Sequence, residues 1–382
     1  MKFIPYGKQH IDNKDVKVVS DALKKEFITT GDEVVKFEKK INKFLNSKFS
    51  FTCNSGTSAL FLALRSIGLK KNDNLIMPAI NFISSYNVAK LLGANIFLAD
   101  VDKYTGQMSP QDVYDCIKKN KLKKIKAVII MYNGGYPQNA PNFYCLKKKY
   151  GAILIEDACH AFGATYLYKK KKYKIGSCKH VDISTFSFHP TKTITTGEGG
   201  LVSTNKKKIY KNLENLRSIG IKRSLKKHWE YDVINIGLNF RLTDFQCALG
   251  ISQLKKINKF INKRKKIFKM YNKALFNIDE LKIINHKNEF NSSYHLYIIH
   301  INNFNKKKKD HFIKYMKSKS IMLQYHYIPI YYFRIFQNMN KFKLKNSEAY
   351  YRTAVSLPIF YELDPKKQFY IINCIKKFFS LE

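Results

Sequence analysis

Acidic residues are scarce in this chain. Asp and Glu supply 28 of 382 residues against 69 Lys and Arg, for a formal net charge of +41. The excess is not a binding stripe: the lysines come in short runs such as 169–172 and 306–309, spread through a chain rich in Asn and Ile. Arginine is sparse and no nucleic-acid recognition motif occurs, so a DNA- or RNA-binding role is disfavoured; long-range attraction of a small acidic substrate fits better. The seven cysteines, at 53, 116, 145, 159, 178, 247 and 374, form no C-x-x-C pair and no metal-ligand spacing. That argues against a disulfide framework or a metal site and for reduced thiols in the cytoplasm. The start of the chain lacks the apolar core of a signal peptide. No apolar run approaches the ~18 residues of a membrane span. Internal repeats and low-complexity linkers are also absent. With 45% hydrophobic and 14% aromatic residues, there is ample material for a packed core.

One lysine stands apart from the rest. Between His180 and Asn205 the only one is Lys192, within Ser187-Phe188-His189-Pro190-Thr191-Lys192 and just before Thr196-Gly197-Glu198-Gly199-Gly200. A lysine away from other cations, partly desolvated and beside hydroxyls, can lose its proton near neutral pH and attack a carbonyl.

The order of apolar runs gives the fold class. Phe49–Cys53, Asn95–Ala99, Ala127–Met131 and Ala152–Ile155 each end in a polar or glycine turn, with helical stretches at Ser58–Ile67 and Pro141–Tyr150 between them. Alternation of this kind predicts an α/β fold with a mainly parallel sheet, and ligands beyond the carboxyl ends of its strands. After Leu242 the pattern changes. A capping-box spacing at Thr243–Gln246 opens a long amphipathic stretch to about Leu275, and Tyr294–Ile301 and Ile321–Tyr327 read as strands of a smaller domain. The expected division is a large domain over 1–255 and a smaller α/β C-terminal domain over 256–382, with the first residues free to pack on the latter.

Three further features sit at strand ends. Asn54-Ser55-Gly56-Thr57-Ser58 leads a strand through a tight turn into a helix, which offers amides and hydroxyls to a phosphate. Glu156-Asp157 closes another strand, whose register allows only one of the two to face a site. Phe82 follows a third strand-like run and offers a flat wall to a ring. Together with Lys192 these parts fit pyridoxal phosphate, which carries an aldehyde, a pyridine nitrogen, a phosphate and a face to stack on.

The chain resembles the DegT/DnrJ/EryC1/StrS family of sugar aminotransferases over nearly its full length. The resemblance is carried by Thr29-Thr30-Gly31 with Phe37-Glu38, Asn54 to Leu60, Glu156 to Ala161, Ser187 to Lys192, Thr196 to Gly200, Gly237 to Leu242 and Gln324 to Pro329. Within the family it is most similar to enzymes that act at C4 of UDP-linked 4-keto-6-deoxy-N-acetylhexosamines, as in pseudaminic acid synthesis for surface polysaccharides. The resemblance implies fold type I of the pyridoxal-phosphate enzymes, transfer of an amine from L-glutamate (leaving 2-oxoglutarate) to a nucleotide-linked keto sugar, and a homodimer. It assigns the Schiff base to Lys192, the pyridine nitrogen to Asp157, contact with the ring to His160 and stacking to Phe82. Thr57, Ser58 and Ser187 would hold the phosphate, Asn239 would reach the neighbouring subunit's cofactor, and Thr29, Thr30, His326 and Tyr327 would lie near the nucleotide sugar. Lys192 speaks against the family's dehydratase branch, where a histidine stands there. GDP- or dTDP-linked sugars remain alternatives, because Tyr331 and the Met131–Pro137 segment depart from the pattern of relatives where the sugar would lie. Tyr132 and Tyr331 read equally as packing residues.

Overall fold

The computed structural model describes residues 3–224, 227, 229–284, 290–302, 306–336 and 343–380. Its centre is a sheet of seven strands: β1 Phe49–Cys53, β2 Asn74–Pro78, β3 Asn95–Ala99, β4 Ala127–Met131, β5 Ile153–Asp157, β6 Ile183–Ser187 and β7 Gly200–Thr204. They lie in the order β1-β7-β6-β5-β4-β2-β3. Only β7 runs against the others, pairing antiparallel with both β1 and β6. This is the mainly parallel α/β sheet expected from the sequence, with β6 and β7 as strands that its apolar runs did not announce.

Side chains alternate across the sheet as the two-residue period of a strand requires. In β4, Val128 and Ile130 join one core cluster with Phe37, Ile41, Leu154 and Phe186. Ala127 and Ile129 join the opposite cluster with Leu60, Leu64, Ile155 and Val202. Helices cover both faces. Asp32–Leu45 turns Val34, Phe37, Ile41 and Leu45 inward at helical spacing. Gly56–Ser66 packs on the other face and is capped by Ser55, whose hydroxyl accepts from the Ser58 amide at 3.1 Å.

The long amphipathic stretch is two helices. Asp244–Lys255 begins at the expected Thr243–Gln246 capping box, and Ile257–Leu275 follows a break at Lys256. The ammonium of Lys256 is drawn to Asp12 at 3.0 Å and Asp15 at 2.6 Å, which ties the break to the Asn13–Leu23 helix. Tyr294–Ile301 is a strand from Tyr297, in a three-stranded sheet with Leu281–Ile283 and Ala354–Leu357. Ile321–Tyr327, expected as a strand, is not one. It makes single bridges from Ile321 to Ile4 and from Gln324 to Ser356 before turning into the large cavity. A third core cluster unites Ile4 with Phe268, Tyr271, Tyr297, Phe312, Leu357 and Phe378. The helix expected over Pro141–Tyr150 starts at Tyr144, after a run of turns. Among the described residues no helix is long and apolar enough to cross a membrane.

Candidate active site

The carboxyl ends of five strands open into one cavity of about 490 Å³. β1 leads to Ser55-Gly56-Thr57, β2 to Asn81–Ser84, β4 ends with Met131, β5 with Asp157 and β6 with Ser187, and all of these line it. Lys192, His160, His295, His326 and Tyr327 complete the wall.

The turn after β1 is built as a cup for an anion. Ser55 caps the Ser58 amide, while the amides of Gly56 and Thr57 have no intrahelical acceptor because they belong to the first turn. Gly56 allows the close approach: a Cβ there would stand 2.8 Å from Cβ of Ser187. Thr57 Oγ1 and Ser84 Oγ lie 2.9 Å apart on the rim. Ser58 is buried and does not line the cavity; its hydroxyl donates to Asn54 Oδ1 at 2.6 Å and so braces the turn.

At the end of β5 the register separates the two carboxylates. Asp157 faces the cavity, with Oδ2 accepting from Ser85 Oγ at 3.0 Å and Oδ1 from the Cys159 amide at 3.4 Å. Glu156 faces the core. It accepts from Tyr132 Oη at 2.8 Å, from the Gly176 amide at 3.4 Å and from Ser184 Oγ. Burial raises its carboxyl above the ordinary glutamate range despite these donors.

Lys192 keeps part of its surface on the cavity, while the surrounding protein withdraws it from bulk water. Burial therefore lowers its ammonium below the ordinary lysine value. Cys159 and Asp157 pull it upward, and Arg264 adds to the lowering.

Beside the lysine stand three buried imidazoles. The His160 and His295 rings are 4.2 Å apart, and His326 lies 6.1 Å from His160. Burial, with Lys192 nearby, holds His160 well below its ordinary value and His326 down to about 3. His295 is lowered in the same way. All three are neutral at physiological pH. The Gly134 amide donates to His160 Nδ1 at 3.4 Å, so the ring's own proton sits on Nε2 and is given to Tyr327 Oη at 2.8 Å. The tyrosine hydroxyl then keeps its own proton for a ligand. Phe82, 54% exposed on the cavity wall, lies 5.8 Å from the Tyr327 ring.

The cavity thus brings together Lys192, Asp157, His160, Thr57, Ser187, Phe82, His326 and Tyr327. Thr29, Thr30 and Asn239 lie outside it and are exposed. Asp244 binds the amides of Gly31 and Glu33 at 2.8 and 2.9 Å, which places the Thr29–Gly31 turn at the start of a helix. Asn239 Oδ1 accepts from the Arg241 amide at 3.2 Å. Of the departing segments, Met131 alone from Met131–Pro137 lines the cavity. Tyr132 is packed in the core, and Tyr331 is buried and donates to Glu348 at 2.9 Å. Both are packing residues. Sequence reasoning missed Ser84, Ser85, Tyr6 and His295; the serine pair at the head of a helix just after Phe82 was the available signal.

Pyridoxal phosphate fits these residues. The amine of Lys192 has no hydrogen-bond partner among the described residues, and Asp157 is a buried carboxylate with no cation bonded to it. A hydroxyl-rich helix start faces both across a cavity of suitable size, with an aromatic side chain on its wall.

Comparison with known proteins agrees. Residues 9–376 match the model of the DegT/DnrJ/EryC1/StrS aminotransferase family. The chain is 35% identical to a UDP-4-amino-4,6-dideoxy-N-acetyl-beta-L-altrosamine transaminase of Campylobacter jejuni, over 95% of this chain and 94% of that one. It is 31% identical to the GDP-perosamine synthase of Escherichia coli O157:H7, over the whole of both. The solved structure of Helicobacter pylori PseC, an aminotransferase involved in the biosynthesis of pseudoaminic acid, superposes with a TM-score of 0.93 at 28% identity, covering all of both chains. The sheet, the cavity and the match along nearly all its length lead to one conclusion: the chain belongs to the DegT/DnrJ/EryC1/StrS aminotransferase family, whose cofactor is pyridoxal phosphate.

Proposed function

We propose that the protein transfers an amino group from L-glutamate to C4 of a UDP-linked 4-keto-6-deoxy sugar, in the synthesis of an amino sugar for a surface polysaccharide. The observation that carries the reading is the convergence of Lys192, Asp157 and the Ser55–Thr57 turn on one cavity. The choice of sugar is supported by the 35% identity to the altrosamine-type transaminase, against 31% to the GDP-perosamine synthase.

When bound, pyridoxal phosphate supplies a carbonyl that accepts the amine and a ring that takes up the electrons left on the substrate carbon. Lys192 would hold it covalently and, once released, carry a proton between the substrate carbon and the cofactor. Burial, which lowers its ammonium below the ordinary lysine value, favours the free amine that this role needs. Asp157, fixed by Ser85, would hold the ring nitrogen. The Ser55–Thr57 turn with Ser187 would take the phosphate. Phe82 and the His160–Tyr327 pair would position the ring and exclude water. The net charge of +41 favours the approach of an anionic nucleotide sugar.

We infer also that two copies share their sites. The ribbon Ile221–Arg223 with Tyr231–Val233 is a two-stranded sheet, too small to be stable alone. Around it Ile219, Trp229, Tyr231, Val233, Ile236 and Leu238 are all exposed, and Asn239 follows directly. A second copy would cover that surface. All seven cysteines are free, as suits a reducing cytoplasm.

The test is the visible spectrum of the protein with pyridoxal phosphate before and after glutamate, followed by incubation with UDP-, GDP- and dTDP-linked 4-keto sugars and mass spectrometry of the products. The expected result is a band that glutamate bleaches and that Lys192→Ala lacks, with the UDP sugar aminated fastest. A band that glutamate leaves unchanged overturns the transfer; faster turnover of the GDP or dTDP sugar overturns the choice of nucleotide.

A further inference from the structure

Behind Lys192 lies a second, much smaller cavity of about 10 Å³, room for about one water molecule. Lys192 forms part of its wall and Arg264 another, with Thr193, Thr195, Gln253 and His10 also lining it; among the described residues no carboxylate does. Arg264, on the Ile257–Leu275 helix, is 2% exposed. Its Nη1 donates to the carbonyls of Ile359 at 2.8 Å and His295 at 3.2 Å. Among the described residues no carboxylate pairs with it. Burial lowers its pKa to about 10, which still leaves it charged at neutral pH.

A buried guanidinium without a counter-ion is costly. Two carbonyl hydrogen bonds do not require it, since a neutral amide could donate both. What only a cation supplies is its charge, and in a dry interior that charge is weakly screened. One of the two carbonyls it holds belongs to His295, whose ring packs on His160 and whose amide donates to Gly134 O at 3.0 Å. We propose that Arg264 is a positioning residue for the active site: a permanent positive charge set behind Lys192, on the small cavity they both line, that works against a second positive charge there while clamping the wall that carries His295. The proposal rests on Lys192 being the amine that takes the cofactor.

The other groups facing Lys192 define what a pH profile must separate. Asp157 and Cys159, from the end of β5, oppose the effect of Arg264. His160, His295 and His326 are held neutral by burial. His189, lowered by burial, and Glu198 line the cavity from the lysine's own loop, and Tyr6 and Tyr327 line it from other elements. On the small cavity, Lys8 and His10 are both engaged by Glu362, at 2.7 and 2.9 Å.

The test is competitive labelling of the full-length, cofactor-free protein with trace acetic anhydride across pH, with each lysine read by mass spectrometry. Arg264→Gln keeps amide donors for the two carbonyls and removes the charge; Arg264→Lys keeps the charge. In the wild type, Lys192 should label with a midpoint below that of the surface lysines. In Arg264→Gln the midpoint should move upward and labelling at pH 7.5 fall roughly threefold to tenfold, while Arg264→Lys stays near wild type. An unmoved midpoint in folded Arg264→Gln makes the residue a clamp alone and overturns the proposal. If Arg264→Gln does not fold, the lysine variant decides, because an upward shift there despite the retained charge also overturns it. The visible band of the wild type with pyridoxal phosphate is scored separately. A protein that binds the cofactor through Lys192 but ignores the Arg264 substitutions sinks only this inference.

Discussion

Glu156 and Asp157 are neighbours on one strand and have opposite surroundings. Asp157 points to the cavity on the Ile155 side, held by one serine hydroxyl and one amide. Glu156 points into the core on the Leu154 side, bonded by Tyr132, Ser184 and the Gly176 amide. The chemistry of the two side chains is nearly the same. What differs is the face, which the two-residue period of the strand assigns, and the number of donors each face offers. One carboxylate is left with room to bind a ligand; the other is used up in holding three elements together.

Substitutions at the two positions should therefore separate activity from stability. The largest effect is expected for Asp157→Asn, with turnover falling on the order of 10³-fold, as for loss of a group that controls a proton. Its melting temperature should stay close to that of wild type. Glu156→Ala should do the reverse. Removing the shared acceptor leaves three donors unmatched and should cost about 3 kcal/mol of stability, read by urea unfolding. The visible band per folded molecule should persist. If Glu156→Ala folds well and loses the band while Asp157→Asn keeps it, the two roles have been assigned the wrong way round. Tyr132→Phe is milder. It removes one donor to Glu156 and should cost about 1 kcal/mol, with catalysis unchanged. A large loss of sugar affinity in that variant would show that Tyr132 reaches the substrate after all.

Much of this was readable from the residues. Continuous apolar runs at Ala127–Met131 and Ala152–Ile155 mark strands buried on both faces, and the lone lysine among hydroxyls is one that the fold places on the cavity wall. β6 and β7 were harder, because Ser184, Thr185, Ser203 and Thr204 dilute their apolar pattern. These polar side chains are satisfied by partners far away in sequence: Thr204 Oγ1, for instance, donates to Asp182 O at 2.8 Å. Ile321–Tyr327 has the composition of a strand, yet its last residues are drawn into the cavity wall, where His326 Nδ1 meets Ser356 Oγ at 2.9 Å. Tertiary contacts decide that, and local pattern does not carry them. His295 was invisible for a related reason. Nothing in Ser293-Tyr294-His295-Leu296 signals that the ring will lie 4.2 Å from His160, since the placement depends on hydrogen bonds from 293–296 to Gly134 and Gly135.

The smallest effect is the most specific test of the Glu156 environment. Because burial raises its carboxyl above the ordinary value of 4.5, the folded chain keeps that proton to higher pH than the unfolded chain does. Its contribution to stability is therefore complete below about pH 4.5 and lost as pH rises through the folded value, at no more than about 1.4 kcal/mol per pH unit. The buried histidines act in the opposite sense. Their lowered values mean that their contribution is present above the ordinary histidine value of 6.5 and lost as pH falls. The wild-type curve mixes the two trends. Glu156→Gln, which mimics the protonated acid, removes only the first. Subtracting the stability of the variant from that of wild type, by urea unfolding at each pH, should leave a difference that declines with rising pH from about 4.5 upward. A flat difference would mean that the donors of Tyr132, Ser184 and Gly176 stabilise the ionised carboxylate enough to cancel the burial, and Glu156 would then differ from Asp157 in direction alone.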